Sequence, residues 1–461
     1  MKKSYLLLIA PIFLYSYTID FESSLDKTIN NNKDLKAKKL EIEKSKLDLK
    51  EARGYSYGSL VFSENIIKTN HPGHVFGLKL GAREASFSDF GFDQFLSQMG
   101  NIGTSAGQKA LLDTQPKNLN EPEARTNFET KLTYKVPIFT GFKLKSAKKM
   151  AKLQLLAKKA LYNYNEKSLG LEVLKAYNGA VAAKEFIKAT QKAKEATSLF
   201  VNFANELFKE GLVTSIDVKQ SKVYDMGVDS KMIEAKNSYE LALSYLRFLT
   251  SDELISDVGE FKMIYNDASS VLVLQDKAQQ NREDYKWMKY NTDTMKSKID
   301  FDSSNKYPIL GAQIEYGYND DKFNTSNIDE HDYYLGALGL SYTIFDGAVT
   351  SSKSQKAKIQ YKQTMNYYNY MKDGIKLEVE KNFLNLQAKD KILKQKIKAY
   401  NLSNEVLEQA SQMYKNHLIN MTNLLTQQAN QQKANAQMIM AKYEKSLAEA
   451  TLKVSLGEGL K

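Results

Sequence analysis

Residue types that perform nucleophilic, acid–base or metal chemistry are sparse and scattered in this chain. Its 461 residues include no cysteine, which removes thiolate nucleophiles, sulfur-ligated metals, disulfides and a lipidated N-terminal cysteine. The four histidines, His71, His74, His331 and His417, form no i, i+4 pair, so no helix face offers the two-imidazole metal spacing. They read as surface polar residues. Carboxylates are plentiful, but along the helical stretches they are spaced with lysines as i, i+4 salt bridges. No nucleophile elbow, phosphate loop or metal-ligand spacing accompanies them. The expectation is a protein without catalysis of its own and without cofactor or metal. The net charge of +11 would suit an anionic partner. However, the lysines lie among glutamates and aspartates, with no compact basic block interleaved with aromatics. Solvated helix faces account for them, and nucleic acid is not expected.

The elements that must position any functional group are unusual. The chain starts MKKSYLLLIAPIFLYSYTID. Lys2 and Lys3 precede an apolar core from Tyr5 to Tyr15, too short to span a bilayer comfortably. Ser16 supplies a small residue at a cleavage site, although Leu14 is not ideal at −3. Residues 1–16 therefore read as a secretory signal peptide. No other run of about twenty apolar residues exists, so a helical membrane span is not expected. The six prolines are Pro11, Pro72, Pro116, Pro122, Pro137 and Pro308. Two long tracts, from Ile138 to Tyr307 and after Ile309, lack the residue that breaks helix interiors. Within the first, Phe186, Ala189, Ala193, Ala196, Phe200, Phe203 and Leu207 step alternately by 3 and 4. That is the seam of a supercoiled helix. From Phe142 to about Lys209 a continuous helix would run roughly 100 Å at about 1.5 Å per residue. A duct, rod or scaffold uses such a length; a compact globule does not.

The sequence is also duplicated. LEVLKAY from Leu171 matches LEVEKNF from Leu377, and IFTG from Ile138 matches IFDG from Ile344; both offsets are 206. FKEGLVTSIDV from Phe208 and YKNHLINMTNL from Tyr414, and YLRFLTSDEL from Tyr245 and TLKVSLGEGL from Thr451, keep the same offset of 206. Upstream, NNKDL from Asn31 matches NREDY from Asn281 at an offset of 250, so the first half carries 44 extra residues. They fall around Asn70 to Glu123, rich in Gly, Asn, Asp, Ser and Pro, and read as a long surface loop. Between helix tracts the period becomes 2. Phe128, Thr130, Leu132, Tyr134 and Val136 alternate with Asn127, Glu129, Lys131, Thr133 and Lys135. Leu310 to Tyr318 and Tyr334 to Ile344 alternate similarly, and Tyr55 to Ile67 is a poorer fourth strand. At about ten residues per strand, this alternation is the transmembrane-barrel pattern. A soluble sandwich with one wet face is the competing reading; the export signal and the charged inner face favour the barrel. Four strands cannot close a barrel with a lumen. Either several chains share one, or the strands form a small open sheet.

Together, the signal peptide, four strands, two proline-free hairpins and two tip segments resemble the TolC family of outer-membrane efflux proteins. The resemblance covers nearly the whole mature chain. Its most specific pieces are the VPIFTG and YTIFDG turns and the segment FKEGLVTSIDV. VFGLKLGAREASFSDF (Val75 to Phe90) and NEPEARTNF (Asn120 to Phe128) look like an extracellular segment found in a subset of the family. The fold class implied is α+β, mostly α: a trimeric TolC-like α-barrel of long coiled helices with a shared transmembrane β-barrel of four strands per chain. The expected organisation is signal peptide 1–16, first periplasmic helix 17–54, outer-membrane strands with the long extracellular loop 55–140 and helical hairpin 141–248. An equatorial linker 249–270, a first helix 271–306, strands 307–346 and hairpin 347–461 complete the second repeat. The implied protein is a homotrimer in outer-membrane lipid, a passive exit duct for efflux or type I secretion. It would dock to a periplasmic adaptor and an inner-membrane transporter of the RND, ABC or similar class.

In that family the turns of the hairpins contact the adaptor and close the tunnel. Carried over here, the docking residues are Gly211, Leu212, Val213, Thr214 and Ser215 in the first tip, and His417, Leu418, Ile419 and Asn420 in the second. The aperture residues are Asp217, Tyr414, Asn423 and Thr426. Glycine at 211 suits a relaxed helix end, and Leu212 and Val213 would be exposed apolar contacts. Thr214 or Ser215 can cap the returning helix, with Asp217 in its first turn. Asp217 is either such a cap or an acidic gate. The second tip departs from the family pattern, since His417 replaces the usual glycine, and Asn423 and Thr426 replace acidic residues. A cation-binding ring at those positions is therefore in doubt, and Asp217 is the remaining acidic candidate. Tyr414 stands where a family aromatic hydrogen-bonds between neighbouring hairpins. His417 either adds pH-dependent charge near the mouth or is a solvated turn residue. The alternative to a duct is a periplasmic coiled-coil scaffold or adaptor, but adaptors usually carry one hairpin per chain, and the duplication with membrane-type strands argues against it.

Overall fold

The computed structural model describes residues 16–264, 270–323 and 328–460. The proposed signal peptide lies almost wholly outside the described residues. In chain order the elements are β1 (Tyr17–Ile19), α1 (Phe21–Asn31), α2 (Lys33–Gly54), β2 (Ser59–Thr69), α3 (Pro72–Gly81), α4 (Phe92–Gln98), α5 (Ser105–Asp113), α6 (Lys117–Asn120) and β3 (Arg125–Thr140). There follow α7 (Lys143–Lys209), α8 (Ser215–Thr250), β4 (Ile255–Val258), α9 (Val271–Asn281) and α10 (Glu283–Asp302). The remainder is β5 (Ile309–Asp320), α11 (Ile328–His331), β6 (Asp332–Ser341), α12 (Val349–Lys415) and α13 (Met421–Ser455). The chain divides into two compact units, one of residues 46–152 and 294–361, the other of residues 1–45, 153–293 and 362–461. No helix among the described residues is long and apolar enough to cross a membrane.

The duplication reappears in the backbone. Helices α7 and α12 each have 67 residues and begin 206 positions apart, as do α8 and α13. Before each long helix the chain turns through two consecutive left-handed residues: Gly141 and Phe142 at φ +58° and +68°, then Gly347 and Ala348 at +63° and +67°. At Gly141 a Cβ would stand 2.2 Å from the Ser304 carbonyl oxygen, so the first turn tolerates only glycine, whereas Gly347 has open space around it. The upstream match shows as a helix break. Asn32 between α1 and α2 (φ −56°, ψ 123°) and Arg282 between α9 and α10 (φ −67°, ψ 122°) leave the helical region the same way.

The strand-bearing unit is one antiparallel sheet in the order β2-β3-β5-β6. Register places Leu60, Tyr134 and Ile314 side by side, and likewise Phe62, Leu132, Tyr316 and Tyr334. Because side chains alternate across a strand, these residues share one face. That face is exposed, with Tyr334 at 88 %. The opposite face is polar and internally bonded. Glu129 accepts from Asn65 Nδ2 at 2.8 Å and pairs with Lys131 at 3.2 Å; Glu315 accepts from Thr133 at 3.0 Å. The Tyr333 hydroxyl lies between them, 3.3 Å from Glu129 and 3.2 Å from Glu315. Its ring rests on Gly317, where a Cβ would stand 2.4 Å from Tyr333 Cζ.

Strand boundaries differ from the alternation pattern for local reasons. β2 begins at Ser59, not Tyr55, because Gly58 (φ +75°) lies against the Lys135 carbonyl and fixes the entry. β6 ends at Ser341 rather than Ile344, because its partner β5 starts at Ile309, opposite Ser341. The region read as a long loop holds four short helices instead. Ser86 and Asp89 form a capping box, Thr104 caps α5, and Pro72 opens α3. None is long enough to show a clear hydrophobic period.

Among the described residues the helical unit has three apolar cores. In the first, Ile19, Phe21, Tyr177, Leu243, Leu246 and Ile255 are buried together, and Phe21 meets Tyr177 edge-on with ring centroids 6.0 Å apart. Burial pushes the Tyr177 phenol up to about 12. Here β1 and β4 pair in parallel, Ile19 opposite Val258; β4 lies in the stretch read as linker, and β1 at the start of the segment read as the first periplasmic helix. The second core lies at the hairpin tips. In the third, Leu274, Ala278, Tyr285, Ile375, Val379 and Leu452 are buried together, and Arg282, between α9 and α10, is buried as well. Arg282 grips Asp284 with two bonds (3.0 and 2.7 Å) and donates to Glu378 at 2.6 Å. Both carboxylates hold the guanidinium charged despite burial.

Candidate functional site at the hairpin tips

Each long helix ends in the same device. The Leu212 N–H donates to the Leu207 carbonyl at 2.9 Å and the Gly211 N–H to Phe208 at 3.1 Å. In the second repeat Leu418 donates to Met413 at 2.9 Å and His417 to Tyr414 at 3.0 Å. This bond pair is the Schellman closure, which needs a left-handed residue just past the helix. Gly211 (φ +74°) and His417 (φ +59°) are those residues. A Cβ is disfavoured there, so His417 makes the second turn without glycine's freedom.

The returning helices are capped unequally. Thr214 caps α8: its Oγ1 accepts from the Asp217 N–H at 3.4 Å, and the Thr214 N–H donates to Asp217 Oδ2 at 3.0 Å. This is a reciprocal capping box with a carboxylate in the positive first turn. At α13, Asn420 Oδ1 accepts from the Asn423 N–H at 2.9 Å, and Asn423 adds no charge to that first turn. Ser215, the other capping candidate, is the first residue of α8 and is exposed.

The two tips pack on each other. Leu207 and Val218 from the first hairpin join Ala410, Tyr414, Met421 and Leu424 from the second in one buried cluster, with Val213 and Ile419 half-buried at its margin. Tyr414 is only 3 % exposed, and its ring meets Phe203 edge-on at 5.8 Å. Burial first, and the negative charge of Asp217 second, push the Tyr414 phenol up. Its hydroxyl has no hydrogen-bond partner among the described residues, and neither do the buried Tyr224 Oη and Gln428 Oε1. Leu212 (58 %) and Leu418 (68 %) point to solvent, as do Asn423 and Thr426. Asp217 is half-buried.

The structure thus brings Tyr414, Val213 and Ile419 into one core and leaves Leu212 and Leu418 as a paired apolar rim. The sequence reading missed the buried stripe of α8, Val218, Ser221, Val228 and Met232, of which Val218 enters the tip cluster, and the Thr422 hydroxyl donating to Gln220 Oε1 between the hairpins at 3.0 Å. The spacing of those four positions, by 3, 7 and 4, is a helix-seam signal visible in the sequence. Higher up the first hairpin, Lys194 bridges Asp225 and Asp229 at 2.8 and 2.7 Å.

A sheet with one exposed apolar face, carried with paired long hairpins, defines a membrane-strand protein with helical extensions. The chain belongs to the outer membrane efflux protein family, whose model matches residues 99–251 and 274–458, more than half of its length. The matched segments cover the hairpins of both repeats and stop either side of the β4 linker. CusC, described in terms of folding and transmembrane channel formation, has the same fold: TM-score 0.78, 12 % identity, covering 96 % of this chain and 94 % of its own. VceC of Vibrio cholerae, an outer membrane protein, gives TM-score 0.77 and 12 % identity over 96 % and 97 % of the two chains. The Campylobacter jejuni outer membrane channel CmeC gives 0.77 and 15 % identity over 96 % and 86 %. No curated protein matches by sequence. The protein is thus an outer-membrane efflux protein with the mostly helical TolC-like fold, and its family is one of transport proteins.

Proposed function

We propose that this protein is the outer-membrane exit duct of a tripartite efflux or type I secretion assembly, working as a homotrimer. The sheet carries this reading. It has four strands, and β2 and β6 each have one edge with no partner strand among the described residues. In lipid every backbone donor and acceptor must be satisfied, and only closure removes an edge. Three such sheets joined β2 to β6 satisfy both conditions. Their apolar faces then meet lipid, and the faces bearing Glu129, Lys131 and Glu315 line a lumen. The duct is passive; the inner-membrane transporter, of RND, ABC or similar class, supplies energy and selects the substrate.

The tips take the adaptor. Leu212, Val213, Leu418 and Ile419 offer an apolar rim for a periplasmic helical hairpin, and Gly211, Thr214, Ser215, His417 and Asn420 fix its shape. Asp217, Asn423 and Thr426 border the aperture, with Tyr414 clasping the hairpins behind them. The acidic character of this aperture rests on Asp217, since its second-repeat counterpart is neutral. Leu212→Glu and Leu418→Glu test the rim. We expect both variants to assemble normally and to abolish export in a strain that depends on this channel. Unchanged drug susceptibility with normal assembly would remove adaptor docking from these residues.

A further inference from the structure

The first-repeat insertion between β2 and β3 is a folded, anchored body with an unpartnered aromatic surface. Several contacts tie it to the sheet. Arg125 pairs with Glu84, His331 Nδ1 lies 2.5 Å from the Ala82 carbonyl oxygen, and Arg83 faces Asp332 at 3.7 Å. Val75 and Ala82 are fully buried. Inside the insertion, Lys79 pairs with Asp89 at 2.5 Å, and the Lys117 N–H donates to Gln94 Oε1 at 2.9 Å. Yet Phe87 is 79 % and Leu112 84 % exposed, and Phe92, Phe95 and Leu96 are exposed as well. Phe87, Phe92 and Phe95 form a continuous row of rings, 5.7 and 5.6 Å apart, along a cavity of about 380 Å³. A contiguous apolar patch on a well-packed body marks a contact surface.

Two observations choose its occupant. The first is the place on the sheet where the insertion is anchored. Register pairs Glu129 with Asn319, and Arg125 lies an even number of residues from Glu129, so Arg125, Glu129 and Asn319 share the polar face. Arg125 holds Glu84, and the Asn319 side chain lies 3.7 Å from where a Gly81 Cβ would stand. Asp332, which Arg83 faces, lies two residues before Tyr334 and so belongs to the other, apolar face. The insertion is therefore anchored across the end of the sheet, on both faces, rather than along the apolar face alone. The second is charge. Residues 72–123 contain six carboxylates and four lysines and arginines, a poor match for the anionic lipid surface that basic segments seek. The insertion also leaves the sheet directly from β2, the free edge.

We propose that the insertion is an intersubunit cap: in the trimer, the aromatic rows of three copies meet over the extracellular mouth and close it from outside. This rests on the trimeric duct reading above. The occupant of the aromatic surface is a second copy of this chain, and the closure is independent of the periplasmic tips.

The absence of native cysteine makes the test clean. Phe87→Cys and Phe92→Cys, made singly in the full chain and treated in cells with a short bismaleimide, are expected to give covalent interchain products on a boiled gel. A surface control, Lys109→Cys, reports collision background. In parallel, Phe92→Ser combined with Phe95→Ser is expected to leave the unheated trimer band intact, raise single-channel conductance and increase sensitivity to a bulky antibiotic normally excluded by the outer membrane. A trimer band with interchain product no greater than the control, and conductance equal to wild type, overturns the cap. Cysteines that react with a membrane-partitioning maleimide but not with a membrane-impermeant one, and give no interchain product, overturn it in favour of a membrane contact. Loss of the trimer band in unmodified protein overturns the duct reading itself, a separate failure.

Discussion

Tyr414 offers the sharpest test of how the hairpin tips are held, because its ring and its hydroxyl make opposite contributions. The ring is buried among Leu207, Ala410, Met421 and Leu424 and meets Phe203 at 5.8 Å. Truncation to alanine removes that packing and leaves a cavity, at a cost of about 3–5 kcal/mol for a buried aromatic. The hydroxyl is buried without a partner among the described residues, and an unpaired buried hydroxyl costs about 1–3 kcal/mol. Tyr414→Phe keeps the ring and removes that penalty, so it should stabilise the tip by about 1 kcal/mol or more. Hydrogen exchange of the amides around Ser403 to Asn416 reads both effects. Since about 1.4 kcal/mol is a factor of ten, Tyr414→Ala should speed exchange more than a hundredfold, and Tyr414→Phe should slow it about fivefold. Conductance should rise for the alanine variant and hold or fall for phenylalanine. If Tyr414→Phe instead loosens the tip and opens the channel as alanine does, the hydroxyl is bonded to a neighbouring copy, and the clasp assigned to the ring is wrong.

Arg282→Ala removes one member of a buried charged cluster and strands Asp284; we expect a loss of about 3–5 kcal/mol, read as a large drop in melting temperature, with Glu378→Gln milder because Glu378 is partly exposed. His417→Gly relieves a left-handed non-glycine residue at φ +59° and should slow tip exchange by the equivalent of about 1 kcal/mol; faster exchange would show that the imidazole makes a stabilising contact. Asp390 bonds Lys394 on its own helix and Lys445 on α13, and these hold its carboxyl down to about 2. A depressed carboxylate stabilises the fold above its unfolded value near 4 and ceases to do so as pH falls through about 2. Asp390→Asn should therefore be less stable than wild type at neutral pH, by no more than about 1 kcal/mol after solvent screening, and the two should converge near pH 2.

Much of the architecture was legible because its signals are long. Proline-free tracts, a 3-4 seam and an offset of 206 repeated four times each extend over tens of residues, and α7 and α12 follow them. The sheet was legible in its alternation, but its limits were set by pairing: β6 stops where β5 has no residue to offer, and β2 starts where Gly58 meets Lys135. Short-range devices were not legible. The β1–β4 pair is three residues against four, too brief to show a period. The helices of the insertion are fixed by caps and by contacts such as Lys79 with Asp89 across a turn. At the tips, the chemistry of Gly211, Thr214 and Asp217 could be read from type and spacing, because caps are local. The burial of Tyr414 could not, since it depends on Phe203 and Leu207 arriving from the other hairpin.

The central claim is a trimeric outer-membrane duct, and heat-modified migration of the outer-membrane fraction tests it most directly. The protein should be recovered with outer membranes. Unheated, it should migrate as a species of three chains that collapses to a single chain on boiling. Recovery as a soluble periplasmic protein that migrates identically with and without heating would contradict the account.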